Sequence, residues 1–273
     1  MVDIVPLQTG RVRVKASQRQ RAPGGLLRVL FDRTWTEWLP ILAWAIRHPE
    51  GVIVVDTGET ARTADPDYFP RWHPYYRTSV QMDVAPGDEI GPQLMAAGID
   101  PAAVRKVVLT HLHTDHAGGL HHVSHSELLV HGDELASAQG LSGKLQGYLP
   151  HRWPDDFAPT PIPFAPAPVG PFGHSYSVTE AGDVVIVPTP GHAPGHVSVI
   201  VKTEDVHYVL AGDTSYSQQL LLDRMPDGVS PDPAVTRRTM DRLLDYAETH
   251  PTVYLPSHDP QSVERLRKKQ LLQ

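Results

Sequence analysis

The sequence contains no cysteine. Disulfides, thiolate nucleophiles, Cys-ligated zinc and iron–sulfur centres are therefore excluded, and a reducing cytoplasm suits such a chain. An excess of cations is also missing. Lys and Arg total 24 against 31 Asp and Glu, a net charge of -7, so there is no surplus to neutralise a nucleic-acid backbone. The longest mainly apolar run, Leu39–Ile46, is far too short to cross a bilayer. The segment Met1–Lys15 has no apolar stretch followed by a small-residue cleavage site, and no signal peptide is expected there. What is present is 273 residues, 40% hydrophobic and 20% charged, enough for a sizeable core in one large domain or two small ones.

Two residue types are abundant. The 27 prolines argue against a helical bundle. With 16 histidines and no cysteine, any metal site must be built from His and carboxylates.

Short β-branched runs mark the strands. Val52–Val55 closes in Asp56-Thr57-Gly58 and reads as a buried strand ending in a turn. Val104–Thr110, Glu127–His131 and Asp183–Val187 read alike. Val197–Lys202 and Val206–Leu210, parted by Thr203-Glu204-Asp205, suggest a hairpin, and Val253–Leu255 is a late strand. Helical spacing predicts Asp88–Ala97, capped by Gly98, and Pro233–Thr249, with Asp232 as N-cap and Pro233 in the first turn. A terminal helix over Gln261–Leu272 ends in Arg267-Lys268-Lys269, a solvated cationic end. The Pro-rich stretch Pro159–Pro171 reads as an extended surface loop, since strands resume on both sides. No linker divides the chain, so a single domain over residues 1–273 is expected.

The informative segment is HLHTDHAGG, residues 111–119. Residues two apart in an extended chain point the same way, so His111 and His113 project together as their strand ends. After the turn, Asp115 and His116 face the same space from the next helix. Four ligand-type groups converge on a volume wide enough for two cations. Further candidates follow later strands: His192 in TPGHAPGH, Asp213 in AGDTSY and His258 in PSHD. Loops at one end of a sheet are where sites are built.

These four segments, in this order, resemble the metallo-β-lactamase superfamily of hydrolases over roughly residues 50 to 260. The resemblance implies an α/β fold, a four-layer αββα sandwich with metals at the strand ends. It also implies that His111, His113 and His192 hold one metal, that Asp115, His116 and His258 hold the other, and that Asp213 bridges them, with a hydroxide between the metals. Asp56 matches a motif that supports the site from behind, and His196 belongs to a family pattern in which packing rather than ligation is expected. His121, His122, His125 and His131 are expected to be surface or satisfied histidines. Zinc is the default for the two divalent ions, and the same ligands accept iron, cobalt or manganese.

Tyr216 stands three residues after Asp213. That arrangement resembles the N-acyl-homoserine-lactone lactonases, in which a tyrosine here reaches the substrate carbonyl or ring oxygen. A phenol can donate to a developing oxyanion. The catalytic residues implied are Asp115, Asp213 and Tyr216, with Asp213 also passing a proton to the leaving alkoxide. The expected activity is lactone ring opening in quorum quenching. The alternative is hydrolysis of another lactone, ester or thioester, as in glyoxalase II. Glyoxalase II relatives usually extend into a helical glutathione-binding region, and only about 15 residues follow His258. Di-iron redox relatives replace the second motif histidine with Glu, whereas His113 is present. Nuclease relatives carry basic surfaces, and secreted β-lactamases carry a signal peptide. A non-catalytic scaffold has no physical need for seven ligands.

Aromatic and apolar residues cluster at Trp35 and Trp38, at Tyr68, Phe69, Trp72, Tyr75 and Tyr76, and at Leu141, Leu145, Tyr148, Trp153 and Phe157. They suit an acyl-chain groove, a homodimer interface or ordinary core. The gap of 76 positions from His116 to His192 is long for a lactonase, and the Pro-rich loop accounts for it.

Overall fold

The structure, a computed structural model, describes residues 2–273. Seven strands form the first sheet: β1 (Asp3–Val14), β2 (Leu39–His48), β3 (Gly51–Val55), β4 (Val80–Asp83), β5 (Val104–Val108), β6 (Glu127–Val130) and β7 (Thr160–Pro161). Their order is β4-β1-β2-β3-β5-β6-β7. The half from β4 to β3 is antiparallel, and the half from β3 to β7 is parallel. Five strands form the second sheet: β8 (Tyr176–Ser177), β9 (Val184–Pro188), β10 (Val197–Lys202), β11 (His207–Gly212) and β12 (Thr252–Pro256), in the order β12-β11-β10-β9-β8.

Among the described residues, ten α-helices surround the sheets: α1 (Ala16–Arg19), α2 (Gly25–Phe31), α3 (Pro74–Thr78), α4 (Ile90–Ala96), α5 (Thr114–Ala117), α6 (Gly132–Ser137), α7 (Gly140–Leu145), α8 (Gln218–Leu222), α9 (Pro233–Thr249) and α10 (Ser262–Lys268). The long helix α9 has the expected bounds, and the Asp232 carboxylate caps it by accepting from the Ala234 and Val235 N–H groups.

Strand alternation builds the layers. Along β9, Val184 and Ile186 face inward while Val185 and Val187 face outward; along β10, Val197, Val199 and Val201 face inward and Ile200 outward. The inward set meets Leu42, Trp44, Ile46, Val55 and Val108 of the first sheet in one buried layer. The outward set packs under Met240, Leu243 and Tyr246 of α9. On the far side, Ile90 and Leu94 of α4 cover Val54, Val107 and Leu128. Helix, sheet, sheet and helix are thus stacked in the αββα order expected from the resemblance.

Several elements differ from the sequence expectations. The helix predicted from Asp88 begins at Ile90, after a 3-10 turn over Pro86–Asp88. The terminal helix spans only Ser262–Lys268. The two longest strands, β1 and β2, were not foreseen. β1 alternates polar and apolar residues weakly through Gln8-Thr9-Gly10, where its pairing with β2 is irregular. The apolar run at Leu39–Ile46 is the body of β2, a central strand covered on both faces, which is why it lacks alternation. The Pro-rich stretch holds the short edge strand β7 and two isolated bridges, Ala165 with Ser175 and Val169 with Phe172.

The topology fixes the site's position. β3 runs parallel to β5, and β11 runs parallel to β12, so their C-terminal ends open on one side of each sheet. The two ends are tied across the sandwich: the Val197 N–H donates to the Thr110 carbonyl at 2.9 Å, and the Leu42 N–H to the Ser257 carbonyl at 3.1 Å.

Candidate active site

Each of the seven expected ligands lies just beyond a strand end. His111, His113, Asp115 and His116 follow β5, His192 follows β9, Asp213 follows β11 and His258 follows β12. The helix carrying Asp115 and His116 is the single turn α5. All seven meet in one cluster.

Their contacts separate into two groups. His111 Nε2 lies 3.0 Å from His113 Nδ1, which lies 3.1 Å from His192 Nε2. The other nitrogen of each ring is occupied: His111 Nδ1 by the Thr110 hydroxyl, His113 Nε2 by the Gln146 carbonyl, and His192 Nδ1 by the Asp227 carboxylate. The second group is Asp115, His116 and His258, with His258 Nε2 3.4 Å from Asp115 Oδ2. Asp213 stands between the groups. Its Oδ1 is 3.2 Å from His116 Nε2 and 3.3 Å from His258 Nε2, and its Oδ2 is 3.6 Å from His192 Nε2.

This arrangement fits divalent cations. Three ring nitrogens crowd together while the other nitrogen of each ring is already engaged, a geometry that lone pairs adopt around a metal. His116 Nε2 and Asp213 Oδ1 are buried without a hydrogen-bond partner, and orphaned polar atoms at a site need an occupant. The charges agree. Burial opposes ionisation of Asp213, yet His258 and His116 hold its carboxyl well below the usual range. Burial works against charge on His192 too, but Asp227 and then Asp213 raise it to about 9. The centre therefore attracts positive charge.

A buried shell behind the ligands aims them. Asp56 accepts from the Thr110 N–H at 2.7 Å, the Thr110 hydroxyl at 2.9 Å and His116 Nδ1 at 2.8 Å. It holds a left-handed backbone, φ 60°, which a non-glycine residue tolerates only where surrounding contacts compensate. His258 Nδ1 donates to the Pro40 carbonyl at 2.9 Å. His196 is no ligand: its Nε2 accepts the Asp213 backbone N–H at 3.0 Å and its Nδ1 meets the Thr189 hydroxyl. Burial pushes it down to about 3, so it stays neutral and orients Asp213. Gly212 passes so close that a Cβ there would lie 2.6 Å from His196 Nε2, at φ 53°.

Two supporting carboxylates carried no sequence signal. Asp227 holds His192 Nδ1 while accepting from the Val229 and Ser230 N–H groups and the Ser230 hydroxyl. Glu134, on α6, accepts from the Leu112 N–H at 3.0 Å and the Gly195 N–H at 3.1 Å. It binds the first histidine loop to the second. Neither residue sits in a motif, because each works through tertiary contacts distant in the chain.

A third buried carboxylate, Glu59, accepts from the Tyr68 hydroxyl at 2.8 Å and the Thr60 N–H at 2.9 Å, while its Oε2 has no partner. Burial, with Asp115 nearby, pushes it from 4.5 to about 7. A carboxyl raised on folding costs stability once it must ionise. That cost is absent below the unfolded pKa and complete above the folded one. Glu59→Gln should therefore gain stability relative to the parent as pH rises from about 4.5 to 7, levelling at about 3 kcal/mol. Urea midpoints at pH 4.5 and pH 8 check this; an equal gap at both would mean that Glu59 takes up no proton on folding.

The centre opens into a cavity of about 390 Å³. His113, Asp115, Asp213, His258 and Tyr216 line its floor, and Val12, Val14, Leu26, Leu30, Met82 and Leu145 line its walls. Of the aromatic clusters, Tyr75, Tyr76 and Tyr148 reach the cavity. Tyr68 is core, and Trp153 and Phe157 pack partly buried against the core beneath the first sheet. Trp72 and Leu141 are exposed. Trp35 and Trp38 lie elsewhere, stacked under Arg11, Arg13 and Lys15. The walls supplied by β1 and α2 had no counterpart in the sequence reading.

A two-sheet αββα sandwich with His and Asp ligands at its strand ends defines a metal-dependent hydrolase architecture. The chain belongs to the metallo-beta-lactamase superfamily, whose family model matches residues 36–258, and it is an enzyme of that hydrolase class. Among its relatives is the N-acyl homoserine lactonase AttM of Rhizobium radiobacter, 28% identical over 235 residues that cover 84% of this chain and 86% of the relative. Another is the N-acyl homoserine lactonase AiiA of Bacillus thuringiensis subsp. kurstaki, 26% identical over 233 residues, covering 81% and 82%. A solved N-acyl homoserine lactone hydrolase, with the product N-hexanoyl-L-homoserine at its catalytic metal centre, superposes with a TM-score of 0.76 at 22% identity, covering 96% of this chain and 94% of that one.

Proposed function

We propose that the protein opens the lactone ring of N-acyl-homoserine lactones, using two divalent metal ions. The observation that carries this reading is the placement of Tyr216 beside the seven-ligand cluster, on the floor of a cavity with apolar walls. One end of that cavity suits a lactone and the other an acyl chain. The relatives named for this activity support the same reading.

His111, His113 and His192 would hold one ion, Asp115, His116 and His258 the other, with Asp213 shared. Two such ions supply Lewis acidity and make a water acidic enough to attack near neutral pH. Attack of water on the ring carbonyl carbon turns the carbonyl oxygen into an oxyanion. The Tyr216 ring stacks on His258 with centroids 5.4 Å apart, which fixes its hydroxyl over the floor. Burial raises Tyr216 well above its ordinary value, and Asp213 adds to this, so the phenol keeps its proton and donates it as a hydrogen bond to the oxyanion. Asp213, held deprotonated, accepts the proton lost by the water. When the ring C–O bond breaks, it returns that proton to the leaving alkoxide.

The test is hydrolysis by metal-quantified protein of short- and long-chain acyl-homoserine lactones, a simple γ-lactone, a glutathione thioester and a phosphodiester. Fast opening of the acyl-homoserine lactones is expected. Activity on the thioester alone would move the assignment to the glyoxalase II-like alternative. Tyr216→Phe should lower kcat for the preferred lactone about 100-fold with metal content unchanged; an undiminished kcat would remove Tyr216 from the reaction.

A further inference from the structure

Tyr216 is not the only phenol at the centre. Gln18, on the short helix α1, is buried, and its Nε2 donates to the Tyr216 hydroxyl at 2.9 Å and to the Tyr75 hydroxyl at 2.8 Å. Both amide hydrogens are thereby used. Each phenol oxygen acts as acceptor toward Gln18, and neither hydroxyl has another partner among the described residues. Each phenol proton is left free to donate. Gln18 Oε1 is buried without a partner. In this orientation the amide gives both N–H groups to the phenol oxygens, and the phenol protons face the cavity. Tyr75 also stays a donor: burial raises its pKa, with Asp115, Asp213 and Asp227 adding to the rise against the opposing Gln18 bond.

The two phenols differ in place. Tyr216 stacks on the ligand His258. Tyr75 lies across Gln18 on α3, half-buried beside Tyr76 and the apolar residues Val12 and Val14, toward the wall where an acyl chain would lie. We propose that Tyr75 is a specificity-determining donor for the side-chain amide carbonyl of the substrate, while Gln18 is the positioning residue that points both phenol protons into the cavity. This rests on the lactonase reading above. A lactone bearing an acylamino group has two carbonyl oxygens, one for each phenol, whereas a plain γ-lactone has only the ring carbonyl.

The experiment compares kcat/KM for N-hexanoyl-homoserine lactone and γ-butyrolactone in metal-loaded protein. Tyr75→Phe should lower the ratio of the two constants about tenfold, the worth of one neutral hydrogen bond, chiefly through KM. Tyr216→Phe, acting on the bond broken in both substrates, should lower both constants and leave the ratio within about threefold. Gln18→Glu keeps the shape but accepts where the amide donates, so it should depress both constants and the ratio together. Gln18→Met, which removes the bond without reversing it, should fall between Gln18→Glu and the parent. A Tyr75→Phe ratio equal to the parent's overturns the Tyr75 assignment while the lactonase reading stands. A parent that opens neither lactone overturns both. Equal profiles for Gln18→Glu and Gln18→Met would show that Gln18 acts only as packing.

Discussion

Asp213→Asn should abolish most of the activity, with kcat/KM falling roughly a thousandfold, and, on the two-metal proposal, should reduce bound metal from two equivalents toward one. Among the described residues, Asp213 is the one side chain whose two oxygens face different groups of the cluster, Oδ1 toward His116 and His258 and Oδ2 toward His192. An amide offers one oxygen and an N–H₂ group that repels a cation and meets ring nitrogens with the wrong polarity. It also cannot take up the proton released by the attacking water. Metal analysis beside initial rates checks this. Full activity with two equivalents bound would mean that Asp213 neither bridges nor carries a proton. His113→Ala should lose metal and activity together for a related reason, since His113 Nδ1 links His111 and His192.

Glu134→Ala should cost about 4 kcal/mol of stability, because it strands two buried N–H groups, those of Leu112 and Gly195, at roughly 1–3 kcal/mol each. Burial raises this carboxyl above its ordinary value against the pull of those two N–H groups, so it is held by geometry rather than by an ion partner. The loops it joins carry His111, His113 and His192, and metal affinity should fall about 10- to 100-fold as they lose their common anchor. Glu134→Gln is the informative companion. Its single oxygen serves one N–H and turns its own donor against the other, so it should lie between alanine and the parent. Thermal melts with and without zinc separate the two effects: ligand linkage stabilises only the folded state that binds, and a variant with intact loops would show the full zinc-dependent rise.

The supporting carboxylates explain how a short motif becomes a site. HLHTDHAGG places four ligand-type side chains just past β5, but His111, His116 and His192 are aimed by Thr110, Asp56 and Asp227, three residues from three loops. Metal-ligating histidines commonly pass their second nitrogen to such a partner, and here each does so within the described residues. Asp56 was legible through the resemblance, whose motif places it where a β-branched run ends in a turn. Asp227 was not, since it lies in an irregular loop whose polar residues read as an ordinary connection.

The sequence alone pointed to the seven His and Asp side chains that gather at the strand ends, because motif residues two apart at a strand end project together and metal chemistry favours those residue types; their division between two ions came from the resemblance. The sequence also determined α9, whose cap, proline and apolar spacing are local signals, and the hairpin of β10 and β11. Only the tertiary structure decided the rest. The second strand was hidden because a strand covered on both faces loses its alternation, and the first because its alternation fails through the irregular Gln8-Thr9-Gly10 stretch. Four of the wall residues, Val12, Val14, Leu26 and Leu30, lie more than 70 residues from the metal motif in sequence. Gln18 meets Tyr216 across 198 positions. Polarity and distance in such contacts are set by how the layers stack, and a single chain read in order carries local propensities but no record of which distant hydroxyl a buried amide will meet.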